Sequence, residues 1–273
     1  MGRSLSAVPH AAPLPQSGLS SWRWVAASVN GQAHLARGEG GQDAYRVQSL
    51  GGAGLVLAVS DGAGSASQAA HASAWLCDEA CRWCAAQVRA GEKLDAQALL
   101  TFLQGGLQTE ADALGVPRRE LAATLGLAVV RSEGAWCFGV GDSAVLADWD
   151  AEDGKGTGLR PVFWPQQGEY ANQTLFVGEI TSEQAQTRTL SGVRALALLT
   201  DGLHPAALQL AERQAHAGFF APLLSALQGA APGDLPALQR SLAALLDSGR
   251  MRERSDDDKT LVLALRPAED RDG

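Results

Sequence analysis

Two stretches of this chain, GLVLAVSDG (54–62) and VRALALLTDG (193–202), are nearly unbroken runs of aliphatic residues that stop abruptly at Asp-Gly. Successive side chains of a strand point to opposite faces, so a run that is apolar at almost every position needs cover on both of them. Both runs fall short of the ~18 apolar residues that span a bilayer. Each ends in a pair that strands disfavour. The chain is therefore expected to build covered sheets with carboxylates at their strand ends, and 273 residues are enough for one large core or two modest ones.

The rest of the chain supplies the covering layers. WRWVAASVN (22–30) reads as a strand, followed by a Gly-rich loop that ends at Asp43. AYRVQSL and the first apolar run form a predicted hairpin. Ala-rich residues 65–88 carry apolar positions at helical spacing, and a second helix is predicted over 95–114, before Gly-Val-Pro. LAATLGLAVVRS, GAWCFGVGDSA and VLADWD, punctuated by Gly, Ser and Asp, suggest a meander of antiparallel strands. DGKGTG (153–158) reads as a surface loop and QTLFVG (173–178) as a strand. Helices are predicted over 205–217, 219–227 and 235–247, and a last strand follows SDDDK. Strands and helices in separate runs indicate an α+β fold with antiparallel sheets.

Several functions are disfavoured. The net charge of -8 lacks the clustered Lys and Arg that nucleic-acid binding needs. No apolar run is long enough to cross a membrane. The first 21 residues carry no continuous apolar segment of a signal peptide. Their Met-Gly-x-x-x-Ser start fits a myristoylation pattern, but a disordered leader is the expectation. Residues 22–267 are read as one domain and 268–273 as a tail. Cys77, Cys81 and Cys84 fall on one helix face with no second ligand pair, which points to core packing in a reducing cytoplasm, with Cys137 elsewhere. Trp75 and Trp83 on the same helix also read as packing residues. The chain has neither Gly-x-Ser-x-Gly nor a phosphate-binding Gly loop.

Five segments instead place aspartates beside buried-looking strands: Gln42-Asp43, Ser60-Asp61-Gly62, Gly141-Asp142-Ser143, Thr200-Asp201-Gly202 and Asp256-Asp257-Asp258. Any one of them alone is more often a turn than a ligand. Carboxylates gathered at the ends of apolar strands repel each other unless something neutralises them. Hard divalent cations such as Mg²⁺ or Mn²⁺ do so through oxygen ligands.

In their order along the chain, GxxH…GxxxQDAY, VSDGAGSA, ATLGLAVV, GVGDSAVL, ALLTDGL and DDDKTLVLAL resemble the motifs of the metal-dependent type 2C protein phosphatases, in particular the bacterial branch, over about residues 22–265. The resemblance implies a four-layer αββα sandwich of two antiparallel sheets flanked by helices, with metals at one end between the sheets. It further implies hydrolysis of phosphoserine or phosphothreonine by water activated at a pair of Mn²⁺ or Mg²⁺ ions, attacking phosphorus in line without a covalent enzyme intermediate. Transferred residue by residue, Asp43, Asp61, Asp201 and Asp257 are the metal and catalytic positions. Gly62 lends its carbonyl, and Asp142 matches the residue associated with a third, weaker ion. Asp258 stands where the family has Asn, and with Asp256 is expected to face solvent or to support the ligands from behind.

The chain also departs from the family. An acidic residue that commonly precedes the first aspartate is Gln42, the phosphate-binding Arg of many members falls at Gly38, and a His found after Asp-Gly in eukaryotic members is Ala63. Arg37 and His34 are then the candidates for the substrate phosphate, although His34 reads first as a residue hydrogen-bonded within its own loop. His204, after Asp201-Gly202-Leu203, could lie near the metals but reads first as helix-start packing. The expected partner is a phosphorylated regulatory protein or a partner Ser/Thr kinase, and the expected state a cytoplasmic monomer. The competing reading is a phosphatase-like domain with little or no turnover that binds a phosphoprotein or signalling partner.

Overall fold

Alternation along the apolar strands sets the layering. The computed structural model describes residues 22–150, 158–166 and 174–267. It opens with β1 (Arg23–Val29), a short helix α1 (Gln32–Arg37), and the hairpin β2 (Asp43–Ser49) and β3 (Leu55–Asp61). The helices α2 (Ala69–Ala90) and α3 (Ala96–Leu114) follow, then β4 (Leu125–Arg131), β5 (Gly134–Val140), β6 (Ala144–Asp148), β7 (Arg160–Pro161), β8 (Gln186–Ser191) and β9 (Ala195–Leu199). After α4 (His204–Ala207) come the two-residue strands β10 (Leu208–Gln209) and β11 (Gln214–Ala215). The chain continues through α5 (Ala217–Gly229), α6 (Leu235–Leu246) and α7 (Gly249–Arg252) into β12 (Lys259–Leu265).

Ten of these strands make two antiparallel sheets, ordered β1-β12-β9-β6-β7 and β2-β3-β4-β5-β8. On β3, Leu55, Leu57 and Val59 turn inward to the other sheet, where they meet Leu196, Leu198 and Val262. Val56 and Ala58 turn outward, under Leu76, Leu99 and Leu103 of α2 and α3. On the far sheet, Ala197, Leu199, Leu261 and Leu263 pack beneath Phe220, Leu227, Leu242 and Leu246 of α5 and α6. The fold is thus a four-layer α+β sandwich. Each fully buried Leu or Val contributes roughly 1.5–3 kcal/mol relative to exposure, so the unbroken apolar runs are what stabilise layers on both sides of each sheet.

Four predicted elements differ. The expected meander breaks after β5, because β6 pairs with β9 in the other sheet. The turn at 141–143 is a crossover, made by Gly141 at φ +87, where a Cβ would lie 2.6 Å from Leu175 O and 2.7 Å from Thr124 Cγ2. The described part of QTLFVG is not a strand. Val177 N donates to Ala123 O, and Gln104 Nε2 donates to Val177 O, so the backbone is satisfied outside any ladder. The strand is instead β8, whose Leu190 is its one buried residue and whose polar sequence hid it. The predicted helix over 205–217 stops at Ala207, and the chain doubles back through β10 and β11 with Arg213 at φ 52. Finally, the Gly-rich loop contains α1, which Gly38 ends in a left-handed C-cap at φ 68.

The expected leader, the tail and all but Gly158 of the predicted 153–158 loop lie outside the described residues. Cys77, Cys81, Cys84 and Cys137 are free and buried, and burial pushes the Cys84 and Cys137 thiols up to about 12, so they behave as packing groups. Among the described residues no helix is long and apolar enough to cross a membrane.

Candidate metal centre

Strand pairing decides which of the aspartates meet. β2 starts at Asp43, β3 ends at Asp61, and the register sets these two directly opposite each other. In the other sheet, β9 runs out into Thr200-Asp201 and its neighbour β12 starts just after Asp257-Asp258. A Cβ on Gly202 would lie 1.9 Å from the Asp258 carbonyl oxygen and 3.3 Å from Asp257 Cβ, so the two segments touch. The crossover turn adds Asp142, whose field reaches Asp61. The five carboxylates therefore converge from both sheets: Asp61 feels the charges of Asp43, Asp201, Asp142 and Asp257, and Asp201 lies within hydrogen-bonding reach of Asp61.

Electrostatics confirms that this gathering is costly for the protein alone. Burial is the largest cause that pushes Asp43 and Asp61 well above the ordinary 3.8, and neighbouring carboxylates add to it. Asp142 and Asp201 are raised for the same two reasons. Asp257 is exposed at the rim, and its Oδ1 accepts from Asp258 N at 2.8 Å.

Hydroxyls hold the clustered aspartates. Asp43 Oδ2 accepts from Thr200 Oγ1 at 2.6 Å and from Thr260 Oγ1 at 2.7 Å, while Oδ1 takes no hydrogen bond among the described residues. Asp61 N donates to Thr124 Oγ1 at 3.0 Å, and that hydroxyl meets Ser143 Oγ at 2.9 Å, which ties β3 to the crossover turn. Asp142 Oδ2 accepts from Thr174 Oγ1 at 2.9 Å. Sequence reasoning missed the roles of all four threonines of this frame. Their signal is a Thr at the edge of an apolar strand beside an Asp, as in Thr200-Asp201.

Asp258 takes the second of its two expected roles and supports the cluster from behind. It is 3% exposed and braces the Gly-rich loop, accepting at Oδ1 from Gly31 N (2.6 Å) and His34 Nδ1 (3.0 Å) and at Oδ2 from Gln42 N (2.6 Å). It does not face solvent, whereas Asp256 does. His34 is buried and its ring partner is this distant carboxylate, not its own loop. Arg37 is about half exposed, with Nε on Glu39 Oε2 at 2.7 Å. Gly38 cannot become the family's arginine without strain at φ +68. Gly62 likewise has a steric reason, since a Cβ there would lie 2.7 Å from Ala69 O at the start of α2.

The donor set fits hard divalent cations. It is rich in oxygen, and Asp142 Oδ1 and Gln42 Oε1 are buried with no partner among the described residues. Buried Lys259, the one base in the terminal motif, directs its ammonium to Asp257 O at 2.6 Å and not to a side-chain carboxylate. His204 Nε2 is also buried without a partner, with the ring against Asp142; burial lowers its pKa. The tightest trio of metal-capable atoms is another one: His34, Asp257 and Asp258 lie within 4.8 Å of one another. There, however, Asp258 and His34 are already committed to each other and to backbone N–H groups, so this trio is a brace beside the more open cluster.

Two antiparallel sheets between helical layers, with acidic strand ends facing each other, define the class. The sequence profile described as "Protein phosphatase 2C" matches residues 30–247, and the chain belongs to that family. Serine/threonine-protein phosphatase 3 of Escherichia coli (strain K12) is 35% identical over 257 residues, covering 90% of this chain and 98% of that protein. Among solved structures, PppA, a key regulatory component of T6SS in Pseudomonas aeruginosa, matches with a TM-score of 0.58 at 22% identity, over 90% of this chain and 98% of that one. Serine/threonine phosphatase Stp1 from Staphylococcus aureus matches with a TM-score of 0.57 at 15% identity, over 92% and 97%. The profile stops before Asp256.

Proposed function

We propose that residues 22–267 act as one domain that hydrolyses phosphoserine or phosphothreonine in proteins at a pair of Mn²⁺ or Mg²⁺ ions. Asp43, Asp61, the Gly62 carbonyl, Asp201 and Asp257 would hold the pair, and Asp142 offers a position for a third ion. The observation that carries this reading is the convergence of those carboxylates, from segments more than 200 residues apart, into a cluster whose mutual repulsion only added positive charge can cancel.

Bound cations would supply Lewis acidity, acidifying coordinated water and offsetting charge on the phosphoryl oxygens. The chain's own residues set the stage for that chemistry. Thr200 and Thr260 hold one oxygen of Asp43 and leave the other available. Thr124 and Ser143 fix Asp61 and the Asp142 turn to one frame. Asp258 pins Gly31 and Gln42, and so fixes the approach to Asp43. For the substrate phosphate, Arg37 supplies a half-exposed guanidinium that would have to exchange Glu39 for phosphate, which suits its bidentate geometry. His34 is held behind it by Asp258, and its contribution is to position that loop. The phosphoprotein, with its partner kinase as the opposing activity, is the expected substrate class.

The test is hydrolysis of p-nitrophenyl phosphate and of a phosphothreonine peptide with excess Mn²⁺, repeated with EDTA and with Asp201→Asn. Turnover with Mn²⁺ is expected, with a loss of about 10² or more on removing either the ion or this ligand. Purified, folded protein that is inert toward both substrates with Mn²⁺ would overturn the reading in favour of a phosphoprotein-binding domain.

A further inference from the structure

Beside the acidic centre, on the face built by α5 and α7, lies a pocket of about 310 Å³ lined by Phe219, Leu223, Leu245 and Met251, with Arg250 and Arg254 also in its wall. Its position relative to the centre follows from the chain. Ala206, at the pocket, is five residues beyond Asp201, and Arg254 is three residues before Asp257. Arg254 Nη1 donates to Pro205 O at 2.9 Å, which locks the two approaches together. A peptide spans about 3.3–3.6 Å per residue when extended, so one short substrate segment can reach from pocket to carboxylates.

The chemistry of the wall is specific. Leu245, 37% exposed, presents its side chain at the pocket beside Phe219, Leu223 and Met251. Arg250 makes no ion pair among the described residues, while Arg252, its neighbour but one, is paired with Asp247. A guanidinium that makes no ion pair among the described residues, over an apolar floor, is complementary to an aliphatic side chain that carries a carboxylate next to it.

We propose that this pocket docks the phosphoprotein, taking a bulky apolar residue of the substrate while Arg250 pairs with an adjacent acidic residue. The proposal rests on the phosphatase reading and names a feature of its substrates. Docking beside the centre adds affinity for particular proteins without touching the reacting phosphate, so it selects among phosphoproteins through KM.

The experiment uses the full chain and phosphothreonine peptides carrying a Leu-Glu or a Leu-Lys pair at offsets of about two to six residues on either side, as the reach above allows. The same peptides with unmodified threonine are used for binding by fluorescence anisotropy, which requires no turnover. At one offset, Leu-Glu is expected to lower KM and tighten binding about fivefold relative to Leu-Lys, the scale of one exposed ion pair. Arg250→Glu should reverse that preference, a gain toward Leu-Lys that misfolding cannot produce, and leave p-nitrophenyl phosphate turnover unchanged. Leu245→Glu should weaken Leu-Glu binding as a second, independent disruption. Turnover of p-nitrophenyl phosphate with no offset preferring Leu-Glu in either readout would overturn the proposal, as would a preference that Arg250→Glu leaves intact, or concentration-dependent self-association that Leu245→Glu abolishes, since a second copy would then be the occupant. A protein inert to both phosphate substrates that still binds Leu-Glu peptides in an Arg250-dependent way would keep the pocket and discard the catalytic reading.

Discussion

The chain writes the same unit twice, an apolar strand ending in Asp-Gly, and the two copies are held in different ways. Asp61-Gly62 closes against a neighbour close in sequence: Gly62 leaves room for Ala69 at the start of α2, and Asp61 is clamped from behind by Thr124. Asp201-Gly202 closes against the far end of the chain, where Gly202 admits the Asp258 carbonyl. The charges differ in step. Burial dominates the upward shift of Asp61 with only repulsion added, while hydrogen bonds from Asp61 and the Gly202 backbone moderate that of Asp201. At its glycine one copy is a local corner, although Thr124 reaches Asp61 from 63 residues away; the other is a seam that exists only once β12 has docked. A motif that looks identical in sequence can thus carry either a local or a long-range constraint, and the glycine reports which one through what a methyl group would strike.

Substitution separates the two. Gly202→Ala drives a methyl into a backbone carbonyl at 1.9 Å and should cost about 3 kcal/mol in urea unfolding, at the upper end of overpacking effects. Gly62→Ala meets Ala69 at 2.7 Å and should cost about 1–2 kcal/mol. Equal losses would mean that the seam is no tighter than the corner. Within the seam, Asp258→Asn places an amide donor opposite one of the N–H groups that both carboxylate oxygens now accept. It should cost about 2 kcal/mol, while exposed Asp256→Asn stays within about 0.5 kcal/mol. Equal, negligible changes in the two would remove Asp258 as the brace.

The same contrast explains what could be read from the sequence. The two-faced strands were legible because an apolar residue at every position has few other uses, and four layers follow once both sheets must be covered. β8 was not legible, because as an edge strand it buries Leu190 and otherwise shows polar residues to solvent. Nor was the crossover after Val140, because Gly141-Asp142-Ser143 spells a hairpin turn equally well and only the sheet it enters distinguishes the two. At the centre, the aspartates were singled out from strand ends and family order. Which of its two expected roles Asp258 takes, facing solvent or supporting from behind, was not legible because its environment comes from Gly31, His34 and Gln42, more than 200 residues earlier. Distant partners leave no local periodicity to read.

Cation binding should expose the corner and the seam together. In the ion-free fold, the raised carboxyls of Asp43, Asp61, Asp142 and Asp201 hold protons that the unfolded chain has released. The stability this confers is complete below their ordinary 3.8 and is lost as pH climbs through their raised values. Melting temperature without metal should therefore fall relative to the Mn²⁺-loaded protein as pH rises through that window. Mn²⁺ titrations in buffers of different ionisation enthalpy should show proton release within it and none above it. Proton release that does not vary with pH would mean that the carboxyls are already ionised without the ion.

The smallest effect tests whether the corner and the seam are joined at all. Thr200 belongs to the seam, yet its hydroxyl donates to Asp43 across the gap between sheets at 2.6 Å and accepts from Thr260 N at 3.1 Å. Thr200→Val keeps the shape and removes both bonds, so it should cost about 1 kcal/mol in the ion-free protein. Its consequence for metal runs the other way from a simple loss. That hydroxyl is the largest influence lowering the pKa of Asp43, so its removal raises that carboxyl further and should increase the protons released on Mn²⁺ binding at mildly acidic pH. Thr124→Val removes a hydroxyl that reaches Asp61 only through its backbone N–H, and should cost a similar amount while leaving the proton count unchanged. If both variants shift it equally, the two sheets communicate through the whole cluster and not through the Thr200–Asp43 bond.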